Sequence, residues 1–203
     1  DLMDAGGFNR AHILDMLNVK YVLTNKKINN PSFSAVEDLR GIYENKNVLP
    51  KSWIVGTIKE VESQKQSLME TMLRGFDPSR SAVVLDYEGP EFPKNVSGTV
   101  NIISKKENNI EISCESKTGG LLVLSEIYYE PGWKAFVNGK ETPIFQTNHI
   151  LRSIRIPEGN SRVVFQYNSS GWEKTRMLSR ASVLLVIILL GFSAKKERKQ
   201  EKK

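Results

Sequence analysis

Between Ala181 and Ala194 there is no charged side chain, and Val183–Phe192 (VLLVIILLGF) is apolar throughout. No other feature restricts the chain so narrowly, because a run of this density must be hidden in a protein core or in lipid. The residues that follow favour lipid. Lys195–Lys203 carries six Lys or Arg and two Glu; such a tail cannot enter a core, and it fits a stop-transfer pattern with positive charge on the cytoplasmic side. As a helix rising about 1.5 Å per residue, 181–194 would span about 21 Å, against about 30 Å of hydrocarbon. Extension back to Met177 lengthens the span and brings in Arg180, whose long stem can reach the headgroups. The sequence therefore predicts a transmembrane helix over 175–194, a basic cytoplasmic tail over 195–203, and residues 1–172 outside the membrane. The chain opens at Asp1 with neither an initiator methionine nor a basic-then-apolar leader, which predicts a piece of a longer protein.

Charge argues in the same direction. The net charge is +6, but residues 1–172 hold equal numbers of acidic and basic side chains, so the whole excess lies in 173–203. A phosphate-binding surface needs clustered cations on the folded body, and nucleic acid is not an expected partner. Cys114 is the only cysteine, which excludes an intrachain disulfide and a cysteine metal site. Within Ile110-Glu-Ile-Ser-Cys it reads as a small buried residue of a strand.

The body divides by rhythm. Ile13, Leu14 and Leu17 fall at helical spacing, and Val19–Thr24 is β-branched and aromatic, hence a strand. Strands are predicted at 41–44 and 52–61. A helix at 63–73 places Leu68, Met69, Met72 and Leu73 on one face and stops at Gly75; a strand follows at 81–87. Residues 1–90 thus read as a small mixed α/β part. The Gly- and Pro-containing stretch from Glu88 to Asn95 marks a boundary. From 96 to 170 strand follows strand, about seven in all. Val100/Ile102, Ile110/Ile112/Cys114, Trp133/Ala135/Val137 and Val163/Phe165/Tyr167 alternate with polar residues, and Leu121–Tyr129 is apolar enough for a strand covered on both faces. Asn138-Gly139 is a hairpin signal, since both residues tolerate positive φ. An antiparallel β-sandwich is expected there, so the fold class is α+β with a C-terminal membrane helix.

Four stretches, in order along nearly the whole chain, resemble the C-terminal region of the YfhO-like bacterial membrane proteins. They are Ile13–Leu23, Tyr43–Lys51, Leu122–Ile144 (containing Tyr128-Tyr-Glu-Pro-Gly-Trp133 and Asn138-Gly139), and the pair Asn148–Gly159 with Val163–Tyr167. Glu130 interrupts the usual Tyr-Tyr-Pro-Gly-Trp order, and Asn138 stands where the family tends to have Asp. The resemblance implies a polytopic parent in the cell membrane, similar to GT-C-type glycosyltransferases that use lipid-linked sugars to build cell-envelope polymers. The catalytic acid of that class sits in an early outer loop absent from this chain. The resemblance therefore implies a non-catalytic extracytoplasmic domain with the last anchor, and no catalytic, cofactor or metal residue is assigned. Expected partners are the lipid bilayer, the N-terminal transmembrane region of the same protein, and an envelope glycan or lipid-linked sugar.

The residues themselves offer one candidate site. Tyr128, Tyr129 and Trp133 flank Pro131-Gly132, with Asn148 and Arg152 on a nearby strand. Aromatic faces stack on sugar rings, and Asn or Arg can hydrogen-bond hydroxyls or phosphate. The alternative is that these aromatics pack the sandwich around a turn. His12 and His149 have no third ligand in view, and Asp86, Glu88 and Glu91 lack a regular cation-binding spacing and read as a solvated loop. A structural or assembly domain, docking partner helices through Ile13, Leu14 and Leu17, is the third reading.

Overall fold

The computed structural model describes residues 9–129, 131–168, 171 and 175–188. Two units emerge, Asp1–Tyr167 and Asn168–Lys203. The first is built around β9 (Gly120–Ile127), whose residues 120–125 are all buried. Because successive side chains of a strand point to opposite faces, Leu121 and Val123 enter one core while Leu122 and Leu124 enter another. The doubly covered strand read from the sequence is this one.

One core lies between two sheets. Five strands, β7 (Gly98–Lys106), β8 (Asn109–Ser116), β10 (Trp133–Val137), β11 (Lys140–Thr142) and β14 (Gly159–Tyr167), form an antiparallel sheet in the order β11-β10-β14-β8-β7. Its Ile110, Ile112, Ala135, Val163 and Phe165 meet Leu122 and Leu124 of β9 and Ile154 and Ile156 of β13 (Leu151–Ile156). The alternation seen in the sequence is the alternation of this interlayer, and Cys114 lies in it, 3 % exposed. Asn138 and Gly139 make the β10–β11 turn at φ 52° and 83°, and the Asn138 side-chain oxygen accepts from the Arg162 N–H at 2.8 Å. Sequence and structure agree on a sheet-rich α+β fold.

The second sheet crosses the segment that the sequence marked as a boundary. Its order is β4-β9-β13-β12-β6-β5, with β4 (Ser52–Val55), β5 (Thr57–Val61), β6 (Ser81–Leu85) and β12 (Phe145–Thr147). Ser52 pairs with Leu124 and Val55 with Leu121, and Thr147 pairs with Val84. Strands from 52–85 and 120–156 therefore share one hydrogen-bonded layer, and the division into 1–90 and 96–170 falls inside one unit. The strand expected over 52–61 breaks at Gly56, where a Cβ would overlap the Pro93 carbonyl oxygen; the 88–95 stretch packs down on that break rather than linking separate domains.

The outer face of this sheet holds the other core. It takes Trp53, Val55, Ala82, Val84, Leu121, Val123 and Leu151 together with Ile13 and Met16 of α1 (Ala11–Met16). Leu17 packs against it, and Leu14 packs against Ile28 and Phe33 beside the small sheet β1-β3-β2 (Tyr21–Leu23, Ile42–Asn45, Phe33–Ala35). The helix face suggested for docking partner helices is thus occupied by the chain's own core. Helix α2 (Gln64–Thr71), capped by the Ser63 hydroxyl, joins β5 to the parallel β6. Of the expected stripe only Met72 packs against the core; Leu68, Met69 and Leu73 are 45–61 % exposed, and Ser67 and Thr71 are buried instead. Small side chains on the inner face let the helix lie close to the sheet, and this local gain outweighs the apolar stripe.

Unit two contains a helix over 175–188, all of it exposed. Among the described residues no helix is long and apolar enough to cross a membrane. Residues 189–194 of the expected span and the 195–203 tail lie outside the described residues.

Leu122→Ala should cost about 2–5 kcal/mol through the cavity it leaves, whereas Leu68→Ser should change stability by less than about 0.5 kcal/mol. Urea unfolding followed by tryptophan fluorescence checks both; equal losses would contradict the burial described.

Candidate functional site

The segment leaving β9 turns through Tyr128, Tyr129, Pro131 and Gly132 and re-enters as β10 at Trp133. Gly132 has φ 91°, a left-handed conformation that a side chain would strain. The turn holds open a cleft of about 270 Å³, lined by Tyr128, Tyr129, Trp133, Lys134, Glu141 and Pro143 among others. Tyr129 is 55 % exposed. At the rim the Lys134 ammonium donates to Glu141 at 3.0 Å. The ring of Trp133 tilts against Tyr167, its partner on β14, with centroids 5.5 Å apart.

Arg152 stands behind this wall. It points into the interlayer from β13, 4 % exposed, with its guanidinium 4.3 Å from the centre of the Trp133 ring and 5.8 Å from that of Phe165. Its Nε and Nη1 are buried with no hydrogen-bond partner. Burying an unpaired charge is costly; stacking on the indole offsets part of the cost, by about 2 kcal/mol where the pair is desolvated. Burial pulls the Arg152 pKa below its ordinary value, and Glu126 opposes that shift.

Asn148 does different work. It is fully buried at φ 48°, its side-chain oxygen accepts from the Val83 N–H at 2.9 Å, and its own N–H donates to the Val83 carbonyl at 2.7 Å. It extends the β12–β6 pairing by one residue, away from the cleft. Of the five residues singled out in the sequence, the structure brings Tyr128, Tyr129 and Trp133 to the cleft, sets Arg152 directly behind it, and leaves Asn148 in the sheet.

Neither histidine nor Cys114 lines this cleft. The His12 ring nitrogen Nε2 bonds the Thr71 carbonyl at 3.0 Å. His149, at φ 67°, follows Asn148 in the tight turn between β12 and β13, and its buried Nδ1 has no hydrogen-bond partner. Burial pushes the Cys114 thiol up to about 11. Among the described residues no group of three or more His, Cys, Asp or Glu is placed to hold a metal ion. Asp15, unmarked by any sequence pattern, is 8 % exposed and accepts from the Asn45 amide at 2.7 Å. Burial raises its pKa, with that hydrogen bond opposing. A lone Asp among the apolar positions of a short helix carries no signal of this.

Glu126 closes the same end of the sandwich, 3.1 Å from Lys51 and 2.6 Å from Lys105. Burial alone would push its carboxyl up, but the hydrogen bonds from Lys105 and Lys51 outweigh that and hold it below the ordinary glutamate value of 4.5. A depressed carboxylate contributes stability above its unfolded pKa, and that contribution is lost as pH falls through the folded value. Glu126→Gln should therefore flatten the loss of stability below about pH 5 and cost about 0.2–1 kcal/mol per ion pair near neutrality. Urea midpoints measured from pH 7 to pH 3 test this; an unchanged acid slope would contradict it.

Residues 94–179 match the family model described as "Bacterial membrane protein YfhO". The match begins just ahead of β7, takes in the five-stranded sheet, β9, β12, β13 and the aromatic cleft, and ends inside the 175–188 helix. No curated protein and no solved structure matches the chain. Over residues 94–179, where the interlayer core and the cleft are built, this chain is similar to the bacterial membrane protein family YfhO.

Proposed function

We propose that this chain is the non-catalytic extracytoplasmic domain and last membrane anchor of a polytopic bacterial membrane protein. The parent resembles the GT-C glycosyltransferases that build cell-envelope polymers from lipid-linked sugars. The family match carries the reading. Support for the anchor comes from the 175–188 helix, where Val183–Ile188 are apolar and 45–59 % exposed; side chains of this kind are stable where lipid takes the place of water. The 14 described residues would be completed by 189–194, with the basic tail left in the cytoplasm. In this reading the body covers the acceptor side of the parent's transmembrane region, which supplies the catalytic acid, and the bilayer and that region are its partners.

A second reading, favoured by the open cleft of Tyr128, Tyr129 and Trp133, is a saccharide-binding module held at the membrane surface. Both can hold for one chain, since an accessory domain can present a glycan to a neighbouring catalytic centre.

Two outcomes follow from the first reading. The purified chain should transfer no sugar from any lipid-linked donor, and measurable transfer would overturn the assignment of the chemistry elsewhere. In liposome reconstitution the chain should resist alkaline carbonate extraction. Leu185→Lys, which places a charge in the apolar run at a cost of about 2.5–3.5 kcal/mol, should release a substantial fraction; a wild-type chain that washes off would refute the anchor.

A further inference from the structure

Exposed aromatic side chains gather at one end of the sandwich. Strand β14 ends at Tyr167, which pairs with Trp133 at the start of β10, and the two half-buried rings tilt together. The turn leading into Trp133 adds Tyr128 and Tyr129. Tyr129 is 55 % exposed, and Ile127 just ahead of it is 59 % exposed. The opposite end has another character. There β8 stops at Ser116, β9 begins at Gly120, β13 stops at Ile156 and β14 begins at Gly159. The connecting residues 117–119 and 157–158 are Lys-Thr-Gly and Pro-Glu, with no aromatic or aliphatic side chain large enough to enter lipid.

The chain also leaves the body at the aromatic end. From Tyr167 to residue 175, where the apolar helix is under way, is eight steps along the sequence, at most about 29 Å of fully extended chain. With that helix in lipid, so short a tether keeps Tyr167 near the bilayer surface. Trp and Tyr are enriched at this depth, because the ring is apolar while its N–H or O–H seeks a polar partner. We propose that the Tyr167 end of the sandwich is a membrane-contact surface, with Ile127, Tyr129 and Trp133 seated among lipid headgroups beside the exit of the chain. The proposal rests on the anchor reading above and adds which face of the body meets lipid. Charge contributes no preference. Lys51 and Lys105 share Glu126, and Lys134 pairs with Glu141. In the sequence Glu107 follows Lys106, and Glu130 follows Tyr129. The contact is made by rings and one aliphatic side chain, so a zwitterionic lipid suffices.

The test reconstitutes the full chain at one copy per phosphatidylcholine nanodisc, with a fluorophore on Tyr129→Cys or, at the far end, on Glu158→Cys. Cys114, 3 % exposed, is too buried to compete for the label. A nitroxide on the lipid headgroup should quench the label at 129 at least about two-fold more strongly than the label at 158, because the nine residues of β14 set the two ends about 26 Å apart. A label on Lys106→Cys, in the turn whose Asn108 carbonyl accepts from the Tyr167 N–H, should be quenched like that at 129, with the Tyr129 ring intact. Replacing both Ile127 and Tyr129 by Ser should then at least halve the quenching at 106. Equal quenching at 129 and 158 in a chain that stays with the disc overturns this inference and leaves the anchor standing. A chain that does not stay with the disc overturns both. Full quenching at 106 in the double Ser variant shows that the tether alone brings this end to lipid, and overturns the contact. Protection of the 129 label in crowded liposomes but not in single-copy discs assigns the surface to a second copy and overturns it as well.

Discussion

The first unit depends on one strand having no polar face. Residues 120–125 of β9 bury side chains in both directions, so the strand needs a layer on each side, and the chain supplies them from distant parts of its sequence. The five-stranded sheet closes over Leu122 and Leu124; α1 and the side chains around Trp53 close over Leu121 and Val123. Trp53 is itself fixed, its indole N–H donating to the Pro78 carbonyl at 2.7 Å. Each core alone leaves one face of β9 bare, and burying apolar surface is the dominant favourable term in folding. Neither layer is therefore dispensable to the other.

Among the polar residues buried in this frame, Asn148 and Arg152 have opposite consequences. Asn148 adopts a left-handed backbone and uses its side chain as a surrogate peptide group toward Val83, so that β6 is held to β12 where regular pairing ends. Its polarity is spent on the fold. Arg152 brings a full charge into the interlayer and receives a ring face in return, without hydrogen bonds to Nε or Nη1. The two were adjacent candidates in the sequence, and their burial is nearly the same. What separates them is the partner each finds: the Asn148 oxygen takes a backbone N–H while its amide nitrogen stays unpaired, and Arg152 takes a ring face.

The sandwich was legible because its information is local. Period-two alternation in Ile110/Ile112/Cys114 and Val163/Phe165, the Asn138-Gly139 turn, and the unbroken apolarity of β9 each follow from a few neighbouring residues. What escaped is non-local or depends on fit. Ser52 meets Leu124 across 72 positions of chain, and nothing in 52–55 distinguishes a strand of its own small domain from an edge added to a distant sheet. The α2 pattern misled because Leu68 and Met69 look like an inward stripe, yet the helix rests on Ser67 and Thr71, whose size permits close approach to the sheet. For the site, aromatic residues around Pro-Gly announced a cleft, but only the folded register shows that Arg152 backs Trp133 and that Asn148 faces elsewhere.

The shared sheet also separates inheritance from physics. The segment recognised as a family unit starts at residue 94, after β4, β5 and β6 have been laid down, yet β9 has its backbone partner on one side in β4. A piece cut at that point would present a long, greasy, half-dressed strand with a free row of amides and carbonyls, the geometry that recruits other chains edge to edge. The segment matched by the family model therefore leaves out the strand that pairs with one edge of β9, and the residues ahead of it cover that rim.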